Sequence, residues 1–192
     1  MLEKSSGTDL VWSGIEYDSI EHCHVALENE AIDIDASILG HYQGNIYSVR
    51  YAIRTDVEWK VRRVQIHSKI NGVEHTMRLE SAGDGIWTYN GKREEAFNAC
   101  YEIDLPLTPF TNTLPINRLG MNLQETRQIK VIYIDLLEHT VLPVFQKYAR
   151  LSEGAYRYEN VPNDFEAVIK VDSSGFVEDY PGLFKRVTIL NL

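Results

Sequence analysis

The chain has 192 residues, of which 44% are hydrophobic, 10% aromatic and 24% charged, so disordered and low-complexity classes are excluded. With 28 acidic against 19 basic residues the formal net charge is −9, which argues against binding to nucleic acid and to anionic membranes. A chain of this length can bury a sizeable core, and we expect residues 1–192 to form a single domain.

The number of cysteines and the amino-terminal sequence indicate in which cellular compartment the protein is expected. Cys23 and Cys100 have neither the number nor the spacing of a disulfide framework or a zinc site, so we expect free buried thiols. Residues 1–14 show no basic segment followed by an apolar run, and no stretch approaches 18 consecutive apolar residues. We therefore expect a soluble, cytoplasmic protein with no transmembrane segment.

Strand patterns dominate the chain from residue 46 onward. Residues 46–56 alternate between apolar side chains on one face and mostly polar ones on the other, as in a strand with one buried face. The apolar alternation continues through Val57, Trp59 and Val61 and changes phase before Val64, which predicts a bulge or sharp bend in a long strand. Asn71-Gly72 and Asn90-Gly91 each predict a tight hairpin turn.

Later segments repeat the pattern. Residues 97–105 alternate again, and further strands are predicted over 127–135, 144–150, 156–159, 165–171 and 176–179. The strongest helical pattern is about one turn near residues 114–119. Roughly ten to twelve short strands predict an all-β fold, in which one large, strongly curved antiparallel sheet forms a β-roll, half-barrel or barrel with at most short helical turns.

The segment from Asp104 to Leu119 departs most from the strand pattern. Its three prolines, at 106, 109 and 115, each remove a backbone donor, so we expect a rigid, irregular loop. The loop also carries hydroxyl and amide groups suited to sugar hydroxyls or polar headgroups, at Thr108, Thr111, Asn112 and Thr113. The same groups could instead bond the loop's own backbone.

Tyrosines mark two further segments of interest. Tyr156 and Tyr158 share one face of a predicted strand, and Tyr180 opens a Tyr-Pro-Gly turn. A tyrosine combines an apolar ring with a polar tip, so it suits the wall of a ligand cavity. Ordinary core and cross-strand packing is the alternative use of the same residues.

Two runs of the sequence are long enough to compare with known families. They are residues 108–116, Thr-Pro-Phe-Thr-Asn-Thr-Leu-Pro-Ile, and residues 179–184, Asp-Tyr-Pro-Gly-Leu-Phe. Together with Arg118, Arg186 and the Gly85-Ile-Trp87 segment, they closely resemble the signature of the bacterial putative glycolipid-binding family. Asn117 departs from that signature, because the family usually carries an arginine there. The resemblance implies a curved antiparallel sheet that binds a glycolipid in its concavity, and it implies no reaction.

These observations lead to a binding hypothesis. We predict that the concave face holds a glycolipid or another amphipathic small molecule, with the acyl chain inside and the polar head at the mouth. We expect no cofactor and no metal. The predicted ligand-binding residues are Asp104, Thr108, Thr111, Asn112, Thr113, Arg118, Tyr156, Tyr158, Tyr180 and Trp87.

Two other function classes stay open. An enzyme acting on a lipid or acylated substrate could use Asp104 or His75 as its acid or base, although the sequence has no nucleophile elbow, zinc helix or nucleotide fingerprint. His75 alternates with apolar residues and is expected on an apolar face. Alternatively, the sheet could fill its concavity with its own side chains and act through a protein partner or as a homodimer.

His22 and His24 are candidate metal ligands. His22 and His24 are two residues apart and would share a strand face, and Glu21 or His41 could add a ligand. Isolated histidines are usually surface or core groups, so the sequence favours no metal there.

Overall fold

The computed structural model describes residues 7–192, which form one 15-stranded sheet and one α-helix. The helix α1 (Phe110–Leu119) lies between β9 and β10 along the chain. The strands are β1 (Gly7–Gly14), β2 (Ser19–Glu28), β3 (Ala31–Tyr42), β4 (Asn45–Asp56), β5 (Val61–Ile70), β6 (Val73–Ser81), β7 (Trp87–Tyr89), β8 (Lys92–Arg93), β9 (Glu102–Asp104), β10 (Thr126–Asp135), β11 (Thr140–Ser152), β12 (Ala155–Val161), β13 (Glu166–Val171), β14 (Val177–Tyr180) and β15 (Phe184–Asn191).

The sheet is curved and open. Its strands run in the order β8 to β1 and then β15 to β9, so β1 and β15 pair with each other near the middle. Neighbouring strands are antiparallel except β9 and β10, which are parallel and are connected through α1. Since β8 and β9 are separate edges, the sheet does not close into a barrel. The predicted all-β, strongly curved antiparallel sheet is confirmed, with a single short helix.

Local sequence rules explain the hairpins. Asn71 and Gly72 have φ values of 49° and 88°, and Asn90 and Gly91 have 48° and 79°. Two consecutive residues with positive φ make the tight turn whose twist matches the flanking strands, and asparagine and glycine adopt it at low cost. Both predicted hairpin turns are therefore confirmed.

The predicted continuous strand through residue 59 is interrupted by a turn, whereas the predicted bulge before Val64 is present in the β4–β5 pairing. Residues 57–60 instead form a turn between β4 and β5, and Trp59 has a φ of 64°. The Asp56 carboxylate accepts hydrogen bonds from the backbone N–H groups of Glu58 and Lys60, at 2.9 and 3.0 Å. These side-chain bonds close the turn. The apolar phase changes within β5, where Thr55 pairs with Val61 and Arg54 with Arg63, so one extra residue of β5 lies between the buried Val61 and Val64.

The predicted strand over 97–105 is also shorter than expected. Residues 95–97 form a 3₁₀ turn, and only Glu102–Asp104 pair, in parallel with β10. Both faces of this short strand lie in the interior, so alternation alone could not define its length.

The core consists of two clusters that meet at the helix. One cluster joins the buried faces of β1–β5 to Phe110 and Leu114 of α1 and to Ile132 of β10. The second joins the buried faces of β10–β15 to Ile116. The sheet therefore wraps around α1, which occupies its concave side.

Candidate functional site

The signature run folds as a helix rather than as the irregular loop predicted from its prolines. Pro109 immediately precedes the first helical residue, where a missing N–H costs no intrahelical bond. Thr108 Oγ1 accepts a hydrogen bond from the N–H of Phe110 at 3.0 Å, and Gly120 ends the helix with a φ of 49°. Pro115 lies inside the helix, and burial of the surrounding residues offsets the backbone bond that it removes.

Every residue from 110 to 116 is buried, so the polar side chains of the helix find partners inside the protein. Asn112 Nδ2 donates to the hydroxyl of Tyr148 at 2.9 Å. Thr111 Oγ1 donates to Asp104 Oδ1 at 3.2 Å and accepts from the N–H of Leu105. Thr113 Oγ1 has no hydrogen-bond partner among residues 7–192.

A buried carboxyl group fixes the start of the helix to the N-terminal half of the sheet. Glu21 Oε1 accepts from the Tyr51 hydroxyl at 2.5 Å and from Thr108 Oγ1 at 2.9 Å. Glu21 Oε2 has no partner within the described residues. Burial raises the pKa of Glu21 to about 7, against the lowering effect of its two hydrogen bonds.

A second buried carboxyl group holds the end of the helix. Arg118 Nε donates to Glu102 Oε1, and its guanidinium lies 5.2 Å from the ring centroid of Tyr101. Burial raises the pKa of Glu102, and the charge of Arg118 opposes that effect. The ion pair therefore joins α1 to the edge strand β9.

The structure brings Asp104 together with two of the predicted tyrosines. Asp104 is half-buried, and its Oδ2 accepts from Gln146 Nε2 at 2.7 Å. Burial raises the pKa of Tyr158 and Tyr180, and the nearby carboxylate of Asp104 raises both further. Tyr133 lies opposite Asp104 in the β9–β10 pairing. This group of aromatic and polar side chains, which we call the Asp104 group, lies beside α1 on the inner face.

Tyr156 and Trp87 occupy other parts of the interior. Tyr156 is buried on β12, with the guanidinium of Arg150 at 6.0 Å from its ring centroid. Trp87 is buried in the cluster formed with β1–β5, and its Nε1 donates to the carbonyl of Cys100 at 2.9 Å. The ten sequence-predicted residues are thus distributed over the interior of the sheet, and their ligand-binding role stays a prediction.

A large concavity lies on the face of the sheet that points away from α1. It is a groove of about 1140 Å³ that crosses β1–β6. Its exposed side chains alternate along the strands with buried core residues such as Val49 and Tyr51, so it lies on the outer face. A twisted, curled sheet is saddle-shaped, which explains a groove across the outside of its strands. The exposed side chains that line this outer groove include Ile20, His22, Ser37, Leu39, Ser48, Arg50, Gln65 and His67.

Sequence reasoning missed the outer groove, although a signal for part of it was present. Alternation in residues 46–56 already places Ser48 and Arg50 opposite the buried face. The missing information was the register, which sets Ser37 beside Arg50 and Arg50 beside His67.

A smaller pocket of about 210 Å³ lies between β6 and the β10–β11 hairpin. His75 and His139 line it, with their ring centroids 4.8 Å apart. His75 is on the same strand face as the buried Leu79, but it is exposed because the core ends before it. His75 therefore lies on the apolar face of its strand, as predicted, but it is exposed at the end of the core.

His22 and His24 on β2 both contact the carboxylate of Asp9 on the neighbouring strand β1. Asp9 Oδ1 lies 2.9 Å from His22 Nε2 and 3.1 Å from His24 Nδ1. Glu21 lies on the opposite, buried face of β2, and among residues 7–192 no cluster of three metal-ligating side chains is found. These residues therefore do not assemble the metal site considered from sequence.

In the part of the chain that the structure describes, no helix is long and apolar enough to cross a membrane.

Comparison with known proteins covers most of the chain. A family model described as "Putative glycolipid-binding" matches residues 9–186. A crystal structure of a DUF1089 family protein from Pseudomonas aeruginosa is 32% identical, and the match covers 87% of this chain and 92% of that chain with a TM-score of 0.77. None of the curated proteins matches the chain.

Proposed function

Because the chain belongs to the "Putative glycolipid-binding" family, as its two sequence runs predict, we propose that it binds the headgroup of a glycolipid in the outer groove. One observation carries the location: the concave face is filled by α1 and core side chains, whereas the outer groove offers about 1140 Å³. Ligand sites for small molecules usually measure about 300–1,000 Å³, and the 210 Å³ pocket is below that range.

The chemistry of the outer groove suits a sugar. Ser37 and Ser48 supply hydroxyls, and Gln65 supplies an amide that can both donate and accept. These side chains are short or flexible, so a headgroup can also approach the strands closely. Hydrogen bonds to several ring hydroxyls would orient the sugar along the groove.

A pair of exposed apolar side chains lies at one side of the same groove. Ile20 and Leu39 face each other in the β2–β3 pairing, and they are 47% and 60% exposed. Exposed neighbouring aliphatic side chains can cover the first carbons of a lipid chain. The remainder of the acyl chain would stay in the membrane or micelle from which the headgroup projects.

The concave site predicted from sequence is the alternative location. The half-buried Asp104 favours it, because tyrosine rings and polar groups around a carboxylate could bind a sugar that enters from the edge. In this alternative, Tyr158 and Tyr180 would contact the sugar ring. The two locations predict different effects of substitutions.

Vesicle co-sedimentation tests the proposal. The full chain is mixed with phosphatidylcholine vesicles that contain either no glycolipid, galactosylceramide or its sulfated form. We expect binding to at least one glycolipid vesicle and none to phosphatidylcholine alone. Ser37→Tyr, which fills the floor of the outer groove, should abolish binding, whereas Asp104→Asn should leave it intact. Loss with Asp104→Asn alone would move the site to the concave face, and no binding to either glycolipid would refute the proposal.

A further inference from the structure

Arg50 occupies the centre of the outer groove. The pairing of β2 to β5 places His22, Ser37, Arg50 and His67 side by side in one row across four strands. Directly opposite residues in such pairs have Cβ atoms about 5 Å apart, so Ser37 and His67 flank Arg50 at hydrogen-bonding reach of a shared ligand. All of them are exposed and line the groove.

The side chain of Arg50 has no protein partner among residues 7–192. Most arginines of the described chain pair with a carboxylate, as Arg54 does with Asp33 at 3.0 Å. Within residues 7–192 no hydrogen bond or ion pair engages the guanidinium of Arg50. In a chain with nine more acidic than basic residues, an unpaired arginine in the middle of a groove indicates a place for a negatively charged ligand.

Other charged side chains of the groove pair with carboxylates at its ends and not with Arg50. His22 and His24 bond Asp9 at one end, and Lys69 bonds Glu74 at 3.3 Å at the other. Asp35 also lines the groove, one row away from Arg50, and it lies opposite His24 in the β2–β3 pairing. Asp35 would repel an anion bound at Arg50.

We infer that the ligand of the outer groove is an acidic glycolipid, whose headgroup oxyanion is bound by Arg50 with Ser37 and His67. This inference rests on the proposed function. A planar guanidinium donates two parallel hydrogen bonds to a carboxylate, sulfate or phosphate, and charge-assisted bonds of this kind are stronger than those to neutral hydroxyls. The hydroxyl of Ser37 and a ring N–H of His67 would complete the contacts to the oxyanion.

The same vesicle assay tests the charge of the ligand. The sulfated galactosylceramide should bind at least about tenfold more tightly than the neutral form, since hydrogen bonds to charged groups contribute more than those to neutral ones. Arg50→Gln should reduce binding of the sulfated form to the neutral level. Asp35→Asn should strengthen it, which a purely structural role of Arg50 does not predict.

Controls separate this inference from general electrostatics and from the proposed function. Arg93→Gln removes an exposed arginine outside the groove and should leave binding unchanged. Vesicles with phosphatidylglycerol, which is anionic but carries no sugar, should not bind, and free inorganic sulfate should compete weakly. Equal binding of the two galactosylceramides, insensitive to Arg50→Gln, would overturn the acidic ligand and leave the proposed function standing. Failure of both to bind would overturn both.

Discussion

Replacing Glu21 by glutamine should change how the stability of the protein depends on pH. Glu21 is 2% exposed, and burial raises the pKa of its carboxyl from 4.5 to about 7. Between these two values the folded state keeps a proton that the unfolded state loses, so the free energy of unfolding falls as pH rises. One pKa unit corresponds to about 1.4 kcal/mol. Ionisation of Glu21 alone should therefore lower the free energy of unfolding by about 3 kcal/mol between about pH 4 and about pH 8.

Urea denaturation of the wild type and of Glu21→Gln across this range measures the effect. The glutamine does not titrate, while its oxygen can still accept from Tyr51 and Thr108, so the variant should gain about 3 kcal/mol relative to the wild type toward high pH. Other carboxyl groups titrate in both proteins and cancel in the difference. Glu28→Gln, at an exposed position of β2, serves as the control. A difference between wild type and Glu21→Gln that stays constant within about 0.5 kcal/mol would refute the reasoning.

Two further predictions concern the helix. Leu114→Ala removes a side chain of α1 that is 0% exposed in the first core cluster, and it should lower the free energy of unfolding by about 2–5 kcal/mol. Leu123→Ala, at a position 60% exposed, should change it by less than about 0.5 kcal/mol, and equal effects of the two would contradict the central role of α1. Gly120→Ala should cost about 1–2 kcal/mol, because φ is 49° and no atom lies within 4 Å of the added Cβ, so the cost is conformational. An unchanged urea midpoint for Gly120→Ala would show that the helix end relaxes freely.

Local rules were sufficient where neighbouring residues decide the structure. The alternation in β4 and the Asn-Gly hairpins were predicted correctly, because face alternation and positive φ are properties of a few consecutive residues. The signature runs identified the family for the same reason, since they are contiguous in the chain. Buried thiols at Cys23 and Cys100 also followed from residue type alone.

The segment around Pro109 and Pro115 shows where local rules failed. Prolines predict a loop in an isolated chain, but seven consecutive residues of α1 are enclosed by the sheet, and that burial stabilises the helix. The partners of Thr108 and Asn112, which are Glu21 and Tyr148, lie far away along the chain. No pattern within the segment could indicate them.

By itself the sequence determined the all-β class, the family and the alternation of faces, because these depend on short-range periodicity and on contiguous motifs. Only the tertiary structure decided that the concave face is filled by α1 and that the open surface is the outer groove. The groove depends on the register of strands as far apart along the chain as β1 and β6, and on the saddle shape of the whole sheet. Since register and curvature come from long-range packing, Arg50 acquires its neighbours only in the folded protein.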